Sequence, residues 1–256
     1  MNRTVLITGA SSGIGLELAK LFVRDGYNLV LVARRKHQLE KFANEISIKS
    51  KIRVTTIEKD LSLPSSPQEI FDELKAKSIH VDILVNNAGT QVYGKFQSTN
   101  FEKQLQLIQT NLTSLTHLTN LAITEMLKQG YGKILNVGST GSFAPGPLNA
   151  VYCATKAYVL SFSEAISSDL EGSGITVTAL CPGATKSEFA EKANLTNARI
   201  FNSFVMTSRK VAEVGYKSLF KRKRVVVAGL YNKLMIFLLR LTPRWMILWL
   251  SKILMS

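Results

Sequence analysis

The chain has 256 residues, 46% apolar and 20% charged, which is enough to bury the core of one large domain and excludes a disordered, collagen-like or low-complexity chain. Two cysteines, and three histidines (His37, His80, His117) without ligand spacing, argue against a disulfide scaffold or a zinc site, so no metal is expected and a reducing compartment fits. The net charge of +14 is uneven: residues 209–256 carry 11 Lys or Arg against one acid, Glu213, whereas residues 1–208 carry 21 against 17.

The start, Asn2-Arg3 running straight into Val5-Leu6-Ile7, is too short for a secretory leader and is expected to be mature structure. No stretch holds 18 consecutive apolar residues, so no conventional membrane span is expected. In chain order, apolar runs predict strands over 4–8, 28–33, 53–58, 81–86, 133–137, 176–180 and 224–228. Helical patterns fall between them, over 13–25, 36–48, 67–77, 100–129, 149–170 and 208–220. In the fourth helix Phe101, Leu105, Ile108, Leu112, Leu115 and Leu118 form one apolar stripe. This alternation predicts an α/β fold, a doubly wound parallel sheet of about seven strands with helices on both faces, in which ligands sit beyond the carboxyl ends of the strands. One dinucleotide-binding and catalytic domain is expected over 1–230, followed by a basic, apolar tail over 231–256.

The first strand runs into Gly9-Ala-Ser11-Ser12-Gly13-Ile14-Gly15 and then a helix. Glycines there let the backbone turn sharply and approach a pyrophosphate, while the helix start offers free N–H groups. A tight turn without a ligand would use the same glycines. The second strand ends at Ala33 and is followed by Arg34, Arg35 and Lys36, where an NAD site would place an acid on the ribose. A guanidinium suits a 2′-phosphate instead, which points to NADP(H). Tyr152 and Lys156 stand four apart near the start of a predicted helix, on one face. A neighbouring ammonium favours phenolate, so the pair is expected to lower the tyrosine pKa and make it a general acid or base. Ser139 follows directly on the strand 133–137, at the same sheet edge as the glycine turn, and Asn111 is an unusual choice inside a long helix.

Taken together, Thr8 to Gly15, Asp60-Leu61, Asn86-Asn87-Ala88-Gly89, Asn111, Ser139, Tyr152 with Lys156, and Pro182-Gly183 occur in one order, and in this the sequence resembles the short-chain dehydrogenase/reductase family. The resemblance implies that Tyr152 donates the proton in carbonyl reduction, Ser139 binds the substrate oxygen, and Lys156 binds the nicotinamide ribose and tunes the tyrosine. Asn111 would hold a water linking Lys156 to solvent. Gly9, Ser11, Ser12, Gly13, Ile14, Gly15, Arg34 and Arg35 would hold the phosphates. Asp60 and Leu61 would flank the adenine, Asn87, Ala88 and Gly89 would line the cofactor and brace the sheet, and Pro182, Gly183 and Thr185 would shape the nicotinamide site. A homodimer or homotetramer on helices 100–129 and 149–170 is implied as well. Ser187 stands where the family often has threonine.

Phe189, Phe201, Phe204, Val205 and Met206, with Phe143 and Leu148, suggest an apolar pocket for a hydrophobic ketone or alcohol, although the same side chains would also serve a core or a subunit contact. Cys153 and Cys181 are expected to be packing residues. In the tail, Thr242-Pro243 predicts the start of a last helix bearing Trp245, Ile247, Leu248, Trp249, Leu250, Ile253 and Leu254, with Lys233, Arg240, Arg244 and Lys252 among the apolar residues. Either it lies in a membrane interface or it packs over the pocket or a partner subunit. The expected activity is an NADPH-dependent carbonyl reductase in the cytoplasm, peripheral at a membrane under the first of those readings. The alternative is an NADP-binding regulatory or scaffold protein with a contacting tail. No nucleic-acid partner is expected, because the tail carries no recognised reading motif.

Overall fold

The computed structural model describes residues 3–186, 188 and 205–255. The apolar runs become strands because alternate residues of each can be buried on opposite faces. Val5 and Ile7 of β1 (Thr4–Thr8) enter one core with Leu29 and Leu31 of β2 (Asn28–Ala33), while Leu6, Val30 and Val32 enter the other. With β3 (Val54–Glu58), β4 (Ile83–Asn86), β5 (Gly132–Val137) and β6 (Ile175–Cys181), they form an all-parallel sheet in the order β3-β2-β1-β4-β5-β6-β9. β7 (Thr185–Lys186) and β8 (Met206–Thr207) pair separately, and β9 is Val225–Val227.

One face is covered by α1 (Gly13–Arg24), α2 (Lys36–Lys49) and α7 (Ser208–Phe220), through Leu18, Phe22, Leu39, Val211 and Leu219 among others. The other is covered by α3 (Ser66–Ala76) and α5 (Ser114–Gln129), through Ile70, Leu74, Leu118 and Met126. α6 (Ala150–Asp169) packs on the same side, where Ile166 joins this second core. The chain winds outward from β1 to β2 and β3, then returns to β4 on the opposite side of β1. A crevice therefore opens beyond the carboxyl ends of β1 and β4, the place where open α/β sheets bind ligands.

Element ends differ from the sequence expectation by one or two residues, with two larger differences. The helix expected over 100–129 is three pieces: α4 (Phe101–Ile108), a π-helical turn (Gln109–Thr113) and α5. A π turn inserts one extra residue and rotates whatever follows by roughly 100°. The expected stripe is broken accordingly: Leu115 and Leu118 are buried, but Phe101 is 64% and Leu105 43% exposed, and α4 buries Gln104 and Leu107 instead. The tail holds two helices, α8 (Leu230–Leu241) and α9 (Arg244–Met255). Pro243 lies just before α9, where its carbonyl accepts from Met246 N at 3.0 Å and Ile247 N at 3.2 Å.

Candidate active site

The glycine turn is shaped by what lies beneath it. Gly9 and Gly13 have φ of +64° and +58°, in the left-handed region that side chains disfavour. A Cβ on Gly15 would come 2.4 Å from the Gly9 carbonyl oxygen and 2.5 Å from Asn87 Nδ2, so α1 can begin this close to β4 only without a side chain there. Across the switch point, Asn87 Nδ2 donates to the carbonyls of Thr8 (3.0 Å) and Gly9 (3.1 Å). The Thr8 hydroxyl accepts from the amides of Asn87 and Ala88, both at 3.0 Å. Asn87 thus braces the turn as well as lining the cleft.

Beyond the turn lies a cleft of about 590 Å³. Gly9, Ser11, Ser12, Gly13 and Ile14 line it, as do Arg34, Arg35, Asp60, Leu61, Asn87, Ala88 and Gly89. At its other end stand Ser139, Tyr152, Lys156, Pro182, Gly183 and Thr185. Of the catalytic and cofactor-binding residues expected at the site, only Gly15 and Asn111 are not on its wall; both sit directly behind it. Arg34 is mostly exposed and stands 3.8 Å from Asp60, whereas Arg35 is held across the mouth of the turn. Its guanidinium donates to Ser11 Oγ (3.1 Å), Ser12 Oγ (2.9 Å) and Glu188 Oε2 (2.7 Å). Sequence reasoning missed Glu188, which is 153 positions away and lies in no motif.

Tyr152 and Lys156 share one face of α6, as their spacing requires. Lys156 is only 5% exposed; its Nζ donates to the Val137 carbonyl at 2.8 Å and lies 5.7 Å from the centre of the Tyr152 ring. The expected lowering of the tyrosine pKa is not what this arrangement produces. Tyr152 keeps some exposure toward the cleft, yet the protein around its hydroxyl pushes the phenol up to about 12, opposed by a hydrogen bond with Ser139. Burial also pulls Lys156 down to about 8, so the lysine is itself a costly cation rather than a strong field on its neighbour. Ser139 is fixed by accepting from Gly141 N at 3.0 Å. Nearby, Ser142 Oγ donates to the Lys156 carbonyl at 2.7 Å and so ties the serine loop to α6.

Asn111, in the π turn, clamps the peptide after Gly89. Its Oδ1 accepts from Thr90 N and its Nδ2 donates to Thr90 O, both at 2.9 Å, with Thr155 Oγ1 at 3.3 Å. The amide is therefore committed to the loop, and what the sequence showed as an odd helix residue is a brace. A second buried relay, missed from sequence, runs from Asn86 Nδ2 to Asn136 Oδ1 and from Asn136 Nδ2 to Ser163 Oγ, each 2.9 Å, and ties β4 and β5 to α6.

The expected apolar pocket is only partly placed. Phe189, Phe201 and Phe204 lie outside the described residues, as does Ser187. Phe143 and Leu148 do not line the cleft, Met206 packs on the sheet core, and Val205 is exposed. Gln91, Val92, Thr140 and Ala184 line it instead. Cys153 and Cys181 are free, buried thiols, pushed up to about 11 and about 12 by burial, as suits packing residues.

A family profile described as short chain dehydrogenase matches residues 3–198. Sulfoacetaldehyde reductase 2 of Chromohalobacter salexigens is 35% identical over 191 residues, which cover 74% of this chain and 75% of that protein. Among solved structures, a short-chain dehydrogenase from Sphingobium yanoikuyae in complex with NADPH is 34% identical, with a TM-score of 0.84 over 93% of this chain and 92% of that one. The bulky-bulky ketone specific alcohol dehydrogenase from Comamonas testosteroni is 32% identical, with a TM-score of 0.79 over 93% of each chain.

Proposed function

Because this chain belongs to the short-chain dehydrogenase/reductase family of NAD(P)-dependent oxidoreductases, we propose that it is an NADPH-dependent carbonyl reductase acting on a hydrophobic ketone. The observation that carries this reading is one cleft with a serine-held guanidinium at one end and the hydrogen-bonded Ser139–Tyr152 pair, with Lys156, at the other. The donor set fits a phosphorylated dinucleotide: two serine hydroxyls, the arginine fork and the amides at the start of α1. Gly9 to Ile14 and Arg35 would hold its phosphates, Asp60 and Leu61 its adenine end, and Pro182, Gly183 and Thr185 its nicotinamide end.

When bound, the cofactor supplies the hydride that ends on the carbonyl carbon. The chain does the rest. Ser139 and Tyr152 direct two hydroxyls at the carbonyl oxygen and stabilise the negative charge that develops there. A phenol held up at about 12 is fully protonated at neutral pH, so Tyr152 has a proton to give to the alkoxide. Lys156 would hold the cofactor's ribose, and Asn111 keeps the Thr90 loop in place behind the cleft. Walls of Val92, Cys153 and Ala184 in the same cleft favour an apolar substrate, as does the likeness to the Comamonas enzyme. The exposed Phe101 and Leu105 of α4 support a homo-oligomer built on α4 to α6, which light scattering would read directly.

A panel of bulky ketones and small charged aldehydes, followed by NADPH absorbance, tests the activity. Bulky ketones should show the higher kcat/KM; preference for charged aldehydes such as sulfoacetaldehyde would reject the substrate class, and no turnover on any carbonyl would reject the reductase.

Cofactor choice is testable at Arg35. Its carboxylate partner, Glu188, occupies the guanidinium that a 2′-phosphate would need. Arg35→Ala should weaken NADPH binding by roughly 10- to 100-fold, the loss of one or two charge-assisted hydrogen bonds, and leave NADH binding within a few-fold. Glu188→Gln should move NADPH affinity the other way. Equal losses for both cofactors on Arg35→Ala, measured by fluorescence titration, would contradict the assignment.

A further inference from the structure

α8 and α9 follow one another and share a pattern that the redox reading does not use. α8 turns Asn232, Met235, Ile236 and Leu239 inward, at helical steps of three and four. On the opposite side, within an arc of roughly 120° on a 3.6-residue repeat, it leaves Leu230, Tyr231, Leu234, Phe237, Leu238 and Leu241 exposed. α9 buries Ile247 and turns Trp245, Leu248 and Trp249 outward, with the tryptophans 71% and 60% exposed. Exposed apolar arcs of this extent are atypical of a surface that stays in water.

Charge distinguishes the occupants. Lys233 and Arg240 are exposed on one flank of α8, between its buried and outward apolar sides; Arg244 is exposed on a flank of α9, and Lys252 is exposed among the outward residues of its last turn. No acidic side chain follows Glu213 in the sequence. A second copy docked here would bring these cations against their own kind with no carboxylate of the tail to meet them. A nucleic acid would meet the cations but offers no apolar medium for the leucines and tryptophans. An anionic bilayer surface offers both, phosphate headgroups for the flanks and the acyl boundary for the outward arc, with tryptophans at headgroup depth. Among the described residues no helix is long and apolar enough to cross a membrane, so such helices would lie in its plane.

We propose that the outward faces of α8 and α9 dock this protein on an anionic phospholipid surface. The docking helix is also tied to the cleft: a Cβ on Gly183 would meet Asn232 Nδ2 at 2.5 Å, so the inner side of α8 rests on the loop that forms the nicotinamide end. Docking therefore sets the cleft at a fixed distance from the lipid.

Flotation of the full chain with phosphatidylcholine vesicles, with and without phosphatidylglycerol, tests this. The chain should float with the anionic vesicles about tenfold better than with neutral ones, lose that preference at high salt, and show blue-shifted tryptophan emission. Phe237→Ser with Trp245→Ser and Trp249→Ser should lower partition by roughly tenfold or more at an unchanged melting temperature, because these side chains face solvent. Lys233→Gln with Arg240→Gln and Arg244→Gln, a set that removes no buried group, should abolish the anionic preference. No flotation at low salt, equal flotation of the glutamine variant, or a dimer that the serine substitutions dissociate would each overturn the proposal; the last would identify a second copy as the occupant. The readout is partition, not turnover, so its failure leaves the reductase reading standing.

Discussion

Tyr152→Phe should lower kcat for NADPH-dependent ketone reduction by about 10²- to 10⁴-fold, the usual worth of a positioned general acid, while NADPH affinity changes little. The substitution removes one oxygen. The ring keeps its place on α6, and Ser139 keeps its bond from Gly141 N, so the loop should hold its shape. What disappears is the donor for the developing alkoxide and one of the two hydroxyls aimed at the carbonyl oxygen. A hundredfold loss is about 2.7 kcal/mol of barrier, more than a neutral hydrogen bond to substrate ordinarily contributes, so the size of the effect separates proton donation from simple binding. The direction of reaction gives a second handle. Because burial raises the phenol, reduction should hold its rate across neutral pH, whereas alcohol oxidation, which needs the phenolate, should climb with pH. Turnover within a few-fold of the parent would remove Tyr152 from the chemistry.

The features legible in the sequence were those whose physics is local. Strands appear as apolar runs because both faces of a parallel sheet are buried, and the glycine turn is visible because the left-handed backbone at Gly9 and Gly13 favours glycine. Tyr152 and Lys156 announce themselves by a single helical step. What sequence reasoning missed depends on contacts between distant segments. The stripe from Phe101 to Leu118 looks continuous until the π turn at Asn111 rotates its second half, and the Thr90 loop that Asn111 of this turn clamps is 21 positions away. Glu188 meets Arg35 only because the loop after β6 returns over the carboxyl edge of β1 and β2. The sign of the Tyr152 shift was misjudged for the same reason: spacing shows that an amine lies near a phenol, but not that both are enclosed, and enclosure outweighs the neighbour.

That enclosure makes Lys156 the site of the second large effect. Its folded pKa is about 8 against an ordinary 10.5, so from pH 8 to 10.5 the unfolded chain binds a proton that the folded chain has released. The contribution of Lys156 to stability must then rise with pH through that window; below it both states hold that proton and its slope vanishes. The rise amounts to roughly 3 kcal/mol for a shift of this size. Lys156→Met has no proton to exchange, and urea unfolding should show the parent gaining on the variant by that amount between pH 8 and 10.5. Cys153 and Tyr152, whose folded values are raised, pull the other way as pH climbs past their ordinary values of 9 and 10, but they do so in both proteins and cancel in the difference; Cys181 is raised as well, and because Lys156 partly opposes that rise, its pull is somewhat larger in the variant and adds to the parent's gain. Parallel stability curves would mean that the ammonium is solvated in the folded state. The same linkage reaches the cofactor: phosphates entering the cleft add negative charge that favours the protonated lysine, so NADPH binding just above pH 8 should take up a proton, and Lys156→Met should not. Calorimetry in buffers of different ionisation enthalpy would register that uptake, and its absence in the parent would show that Lys156 already carries its charge before the cofactor arrives.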